Sequence, residues 1–140
     1  MKNKILIVCN YDWAYNQFLL LLTKKLIKSN VEIDVACNGN NLRNFEIINR
    51  HHNIRVPDSL NLIQLLKSFF QVRSIIKYYK YNLIISNNRN ASFVTRLAIL
   101  FLKNEAKNVY IARGMYFHDA QNYLFYIISF LTEYFLSFSN

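Results

Sequence analysis

The sequence predicts an α/β domain, a doubly wound parallel sheet forming a single Rossmann-like unit. Three observations lead there. Short apolar runs rich in β-branched residues recur along the chain, as strands buried on both faces require. Segments of helical periodicity separate them, which implies right-handed crossovers and helices on both faces of the sheet. The 140 residues, 53% hydrophobic and 18% charged, suffice for one core but not for two. The same apolar content excludes a disordered chain, and two Gly and one Pro leave no long flexible linker.

The first element is a strand over Lys4 to Cys9 (KILIVC), a continuous apolar run. A helix over Tyr15 to Ser29 follows, with Phe18, Leu19, Leu22, Leu26 and Ile27 on its apolar face. Lys24, Lys25 and Lys28 complement the dipole at its end. Val31 to Cys37 is a second strand in which Glu32 and Asp34 alternate with Val31, Ile33 and Val35. A turn over Asn38 to Asn41 leads to a short helix over Leu42 to His51, whose last residues, His51 and His52, face solvent beside Arg50. Ile54 to Val56 is a brief third strand ended by Pro57, and Asp58 or Ser59 caps a helix over Leu60 to Tyr79. Asn82 to Ser86 is strand four, Ala91 to Lys103 a helix, and Asn108 to Ala112 strand five. An apolar helix over Asn122 to Phe138 comes last.

Formal net charge is +9, and eight basic residues lie between Arg73 and Arg113 against one acid, Glu105. A nucleic acid, an anionic membrane surface, a phosphate-bearing substrate and a merely solvated face all fit such a balance. No nucleic-acid recognition motif accompanies the charge, so nucleic acid is not expected as a partner. Cys9 and Cys37 have neither metal-ligand nor disulfide-framework spacing. They read as small hydrophobes at the ends of buried strands, in keeping with a reducing cytoplasm. The apolar run after Lys4 is short for a secretory signal and lacks a small-residue cleavage site. No apolar run reaches the roughly 18 residues of a spanning helix.

Sheets of this kind bind ligands beyond the carboxyl ends of their strands. The loops there are Asn10 to Trp13, Cys37 to Asn41, Asn87 to Asn90 and Arg113 to Asp119. The first holds Cys9-Asn10-Tyr11-Asp12-Trp13 where a dinucleotide site needs glycines, which argues against a nicotinamide or flavin cofactor. The P-loop pattern is absent too. Asp12 and Trp13 suit a sugar, one accepting from hydroxyls and the other stacking on an apolar ring face; alternatively they are a helix cap and a half-buried ring. Asn87 and Asn88 offer hydrogen bonds to a hydroxyl-rich ligand, or form a solvated capping loop. In Arg113-Gly114-Met115-Tyr116-Phe117-His118-Asp119, Arg113 suits a phosphate, Gly114 a close backbone approach, and His118 proton transfer or a structural role. No catalytic residue set and no metal-ligand cluster emerges.

Taken in order, these segments resemble the N-terminal, acceptor-side domain of family 4 (group 1) glycosyltransferases of the GT-B fold. The opening KILIVCNYDWAYNQFLLLLTKKLIKSNVEIDVAC is similar to that family's strand, Asp-Trp loop, helix and second strand. NLIISNNRNASFVTRLAILF is similar to its D-I-V-H-T-H-T-x-x-A-x-x-x-R-L-A segment. NVYIARGMYFHDAQNYLFYIISFLTEYFLSFSN is similar to V-x-Y-T-x-H-G-F-x-F-H and a long helix carrying a Glu, here Glu133. Ala91, Arg96, Gly114, Phe117, His118 and Glu133 match the family pattern. The family's H-T-H is Ser86-Asn87-Asn88 here, and its H-G is Arg113-Gly114, so two imidazoles are replaced by groups that do not exchange protons near neutrality.

The resemblance implies an acceptor-binding half-enzyme in bacterial surface polysaccharide or lipid-linked glycan synthesis, with a nucleotide-sugar donor bound by a separate domain that this chain lacks. It further implies inactivity in isolation, a donor-domain partner chain, a saccharide or lipid-linked acceptor, and a place in the cytoplasm at the inner face of the plasma membrane. A non-enzymatic remnant or a membrane-surface binding module is the alternative. The segment Tyr123 to Phe138, dominated by Tyr, Phe, Leu and Ile, is the expected place of membrane or partner contact.

Overall fold

The computed structural model describes residues 3–59, 61–102, 106–112, 127, 130, 131 and 133–135. Five strands form one sheet: β1 (Lys4–Tyr11), β2 (Glu32–Asn38), β3 (Arg50–Asn53), β4 (Leu83–Asn87) and β5 (Lys107–Ile111). Their order is β3-β2-β1-β4-β5 and every neighbouring pair is parallel. The doubly wound α/β class is therefore as predicted. The chain steps from β1 outward to β3, then recrosses the sheet to β4, so the order reverses between β1 and β4. In such sheets the crevice at that reversal is where ligands bind.

Helices α1 (Asp12–Ala14), a π-helical turn (Tyr15–Leu19) and α2 (Leu20–Ile27) run on from one another after β1. They cover one face, where Tyr15 and Leu19 pack on Ile5, Ile7, Ile33 and Val35. Helices α3 (Leu62–Tyr79) and α4 (Arg89–Leu102) cover the other, where Val72, Ile76, Val94 and Ala98 meet Leu6, Val8 and Ile84. Residues Ile5 to Cys9 are all buried, which is why that run shows no alternation in the sequence. Both cysteines are free thiols within this core.

Most boundaries move by one to four residues from those predicted, and at the starts of α3 and α4 a capping side chain sets the end. Helix α3 is capped by Asn61, whose Oδ1 accepts from the Gln64 N–H at 3.0 Å, and not by Asp58 or Ser59. It stops where Lys80 turns left-handed (φ 52°). The helix after β1 opens at Asp12 instead of Tyr15, its π turn closed by the Leu20 N–H bonding to the Tyr15 carbonyl.

The one element of wrong type lies between Leu42 and His51. Only Phe45–Ile47 is helical, as a 3-10 turn, and the third strand is Arg50–Asn53 instead of Ile54 to Val56. The cause is Asp34. It faces the core on β2 with only 2% of its surface exposed, and its carboxylate draws in polar partners from the neighbouring strand. Asn49 donates to Oδ1 at 2.8 Å and the Tyr81 hydroxyl to Oδ2 at 2.6 Å, with His52 at 3.7 Å and Arg50 at 3.8 Å. His51 and His52 are accordingly half-buried on an edge strand, not solvent-facing at a helix end. Of the expected terminal helix, Ile127, Phe130, Leu131 and Glu133, Tyr134 and Phe135 are helical; its other residues lie outside those described.

Candidate functional site

The carboxyl ends of β1, β2 and β4 gather several residues named from the sequence, and hydrogen bonds assign them different roles. Asp12 is a fastener. Its Oδ1 accepts from the Trp13 N–H at 2.7 Å and its Oδ2 from the Asn41 N–H at 2.9 Å, so it ties the loop after β1 to the loop after β2. Asn16 repeats the tie one turn later, donating to the Asn41 carbonyl and accepting from the Arg43 N–H, both at 2.7 Å. Gly39 sits under the Asp12 carboxylate at φ 108°, and any Cβ there would run into it. The close approach and the positive φ together require glycine.

This double tie holds Trp13 outward. Its ring is 56% exposed, lies nearly parallel to Tyr11 (centroids 6.5 Å apart, planes at 17°) and meets Phe18 edge-on at 6.2 Å. Exposed Trp13 and Phe18, with half-buried Tyr11, offer apolar ring faces to a ligand at the carboxyl end of β1. The Tyr11 phenol is pushed above its ordinary pKa by burial and by the Asp58 carboxylate, so it remains a hydroxyl across the physiological range.

Asn87 and Asn88 are not displayed in the same way. Asn87 is the buried last residue of β4. Asn88 adopts φ 74° and its Oδ1 accepts from the Ala91 N–H at 3.1 Å, so its side chain caps α4. Asn90, also buried, donates to the Pro57 carbonyl at 2.6 Å. Asn10 donates to Asp58, while its own Oδ1 is buried with no hydrogen-bond partner. Together Asn10 and Asn90 anchor the 57–59 loop at the carboxyl ends of β1 and β4. Arg113, Gly114 and His118 lie outside the described residues.

Arg96 and Glu133, both matched to the family pattern in the sequence, meet: Nη1 lies 2.6 Å from Oε2, and Nη2 donates to the Glu133 carbonyl at 3.4 Å. The Arg96 side chain is 9% exposed and that of Glu133 39%, so the pair ties the terminal helix to α4 with its arginine buried and its carboxylate at the surface. Among the described residues no group of three or more His, Cys, Asp and Glu is placed to hold a metal ion.

A cavity of about 800 Å³ opens at the opposite, amino end of the sheet, near Asn3, Lys77, Lys80, Tyr81, Asn82 and Lys107. The candidate site at the carboxyl end rests on other grounds than cavity volume. The α3 C-terminus points its carbonyls into this amino-end region, and Lys77 and Lys80 are the cations such a terminus takes up. The carboxyl end instead collects helix N-termini and the loops that carry Asp12, Trp13 and Asn88.

Sequence inspection missed Gly39, Asn41, Asn16 and Asn10. Gly39 carried a signal, since it is one of only two glycines in the chain. The asparagines carried none, because Asn is frequent throughout.

No known protein-family pattern matches the sequence, and no curated protein matches it. Solved structures do resemble the fold. A glycosyltransferase from Rickettsia africae superposes with a TM-score of 0.64 at 19% identity, over 85% of this chain and 32% of that one. The UDP-GlcNAc 2-epimerase of Methanocaldococcus jannaschii gives 0.63 at 18%, over 96% and 37%. MurG of Acinetobacter baumannii gives 0.58 at 12%, over 79% and 35%. The chain thus spans about a third of the length of each. At these identities the likeness shows the fold: a five-stranded parallel α/β unit of the kind found within glycosyltransferases and a nucleotide-sugar epimerase.

Proposed function

We propose that this chain is the acceptor-binding half of a GT-B glycosyltransferase of the family 4 type, acting in surface polysaccharide or lipid-linked glycan synthesis. A separate unit would bind the nucleotide-sugar donor. The observation that carries this reading is Trp13, held half-exposed by the Asp12 and Asn16 ties at the carboxyl rim, where a sugar ring or the first isoprene units of a lipid carrier would stack. The fold neighbours support it at the level of architecture, each being similar over a third of its length. One feature fits binding better than chemistry: Asn87 and Asn88 stand where the family pattern has imidazoles, and neither titrates near neutrality.

Trp13 is the only tryptophan, so its emission reports on this rim without labelling. Titration with short-chain lipid-phosphate-linked saccharides should quench or blue-shift it saturably, and Asp12→Ala should weaken the response about tenfold by releasing the loop. Free nucleotide sugars should leave it unchanged. Saturable binding of a nucleotide sugar, with no response to any saccharide, would reverse the assignment.

A further inference from the structure

We propose that the outward face of α3, extended by Phe101 of α4, is a docking surface for an anionic lipid bilayer. The inference does not depend on the acceptor reading. Helix α3 buries Leu65, Ser68, Val72 and Ile76 against the sheet, yet its opposite side is apolar as well. Ile63, Leu66 and Phe70 recur at i, i+3 and i+7 on the solvent side, with 71%, 57% and 61% of their surfaces exposed. Phe69 joins Phe70 to Phe101 through edge-to-face contacts at 5.1 and 6.1 Å, and Phe101 is itself exposed. A water-soluble helix needs no second apolar stripe, and a contiguous exposed patch of this kind marks an interaction surface.

The charge around the patch selects the occupant. Lys67 and Lys77 flank the stripe in exposed positions, with Arg73 half-buried beside them. The chain contains no Asp or Glu between Asp58 and Glu105. Two copies meeting on this face would oppose cation to cation with no acid to offset them, whereas an anionic headgroup layer is complementary to the whole of it. Aromatic and aliphatic side chains between lysines are also what an interfacial helix inserts below the headgroups. Among the described residues no helix is long and apolar enough to cross a membrane.

The test is co-sedimentation of the full chain with vesicles of phosphatidylcholine containing one third phosphatidylglycerol, and with vesicles of phosphatidylcholine alone. Binding to the anionic vesicles, weakened by salt, is the expected result. Leu66→Gln with Phe70→Ser, and separately Lys67→Glu with Lys77→Glu, should each weaken it about tenfold or more. Leu21→Gln should not, because Leu21 is an equally exposed leucine on the other helical layer. Circular dichroism melting of each variant separates lost docking from lost folding. Three results overturn the proposal. One is absence of wild-type binding at low salt. Another is undiminished binding by folded α3 variants, which would move the contact to Tyr123 to Phe138. The third is concentration-dependent self-association, without vesicle binding, that the same substitutions abolish.

Discussion

Burying a carboxylate in a parallel sheet costs several kcal/mol unless its oxygens find donors. Asp34 meets that condition through Asn49, Tyr81, His52 and Arg50, drawn from β3 and the α3–β4 connection. Burial pushes its pKa up, but the hydrogen bonds from His52, Tyr81 and Asn49 outweigh burial and leave it below the ordinary value. A depressed folded pKa contributes stability above the unfolded value of about 4, and loses it as pH falls through the folded one. Asp34→Ala should therefore destabilise the fold by about 2–4 kcal/mol near neutrality, leaving the Tyr81 hydroxyl and the Asn49 amide unmet. Asp34→Asn should cost less and give a shallower fall of stability on acidification, both measured by urea denaturation at stepped pH. At Gly39, substitution by Ala should cost about 1–3 kcal/mol, and part of that should return when Asp12 is also Ala, since the collision then disappears and the positive φ remains. Of these residues only Asp12 was singled out from the sequence. The sequence shows Asp34 only as a polar residue alternating with Val31, Ile33 and Val35, because periodicity records which positions are apolar and cannot show that four distant polar groups converge on a buried one.

Helices and strands here are set by two kinds of signal. Where an apolar run is long, as in β1 or α3, the sequence locates the element to within a few residues. Where a side chain bonds the backbone, the boundary follows that bond, as at Asn61 and Asn88. Strand β3 (RHHN) has no apolar residue at all, so nothing local distinguishes it; it forms by pairing Arg50 to Asn53 with Asp34 to Cys37. The α4 cap offers a test of how much one such residue contributes. Asn88→Ala removes the cap and forces a Cβ-bearing, non-Asn residue into a left-handed position, and should cost about 2 kcal/mol. Asn88→Gly relieves the backbone and should cost under about 1 kcal/mol. Thermal melts that rank Gly below Ala would show that Asn88 acts otherwise than as a cap.

Across the whole molecule, the sheet, its crossovers and its order reversal follow from alternating apolar runs and short connections, which is why the fold was legible before the structure. The candidate site was legible only in outline. Loop positions follow from the fold, but whether Asp12 or Asn88 faces a ligand or fastens a loop depends on backbone donors that no spacing rule reveals. Arg96 of α4 and Glu133 of the terminal helix are joined by an ion pair. Arg96→Ala should leave the sheet folded while loosening the terminal helix, seen as faster proteolytic cleavage after Tyr123 at unchanged melting of the remainder. The central claim is that ligand binds at the carboxyl ends of the strands. It is most directly tested by amide chemical-shift mapping of the isotopically labelled chain during titration with a lipid-phosphate-linked saccharide. Shifts confined to residues 11–18, 39–43, 57–59 and 87–90 are the predicted result. Shifts centred on Asn3, Lys77, Lys80 and Lys107, around the amino-end cavity, would contradict it.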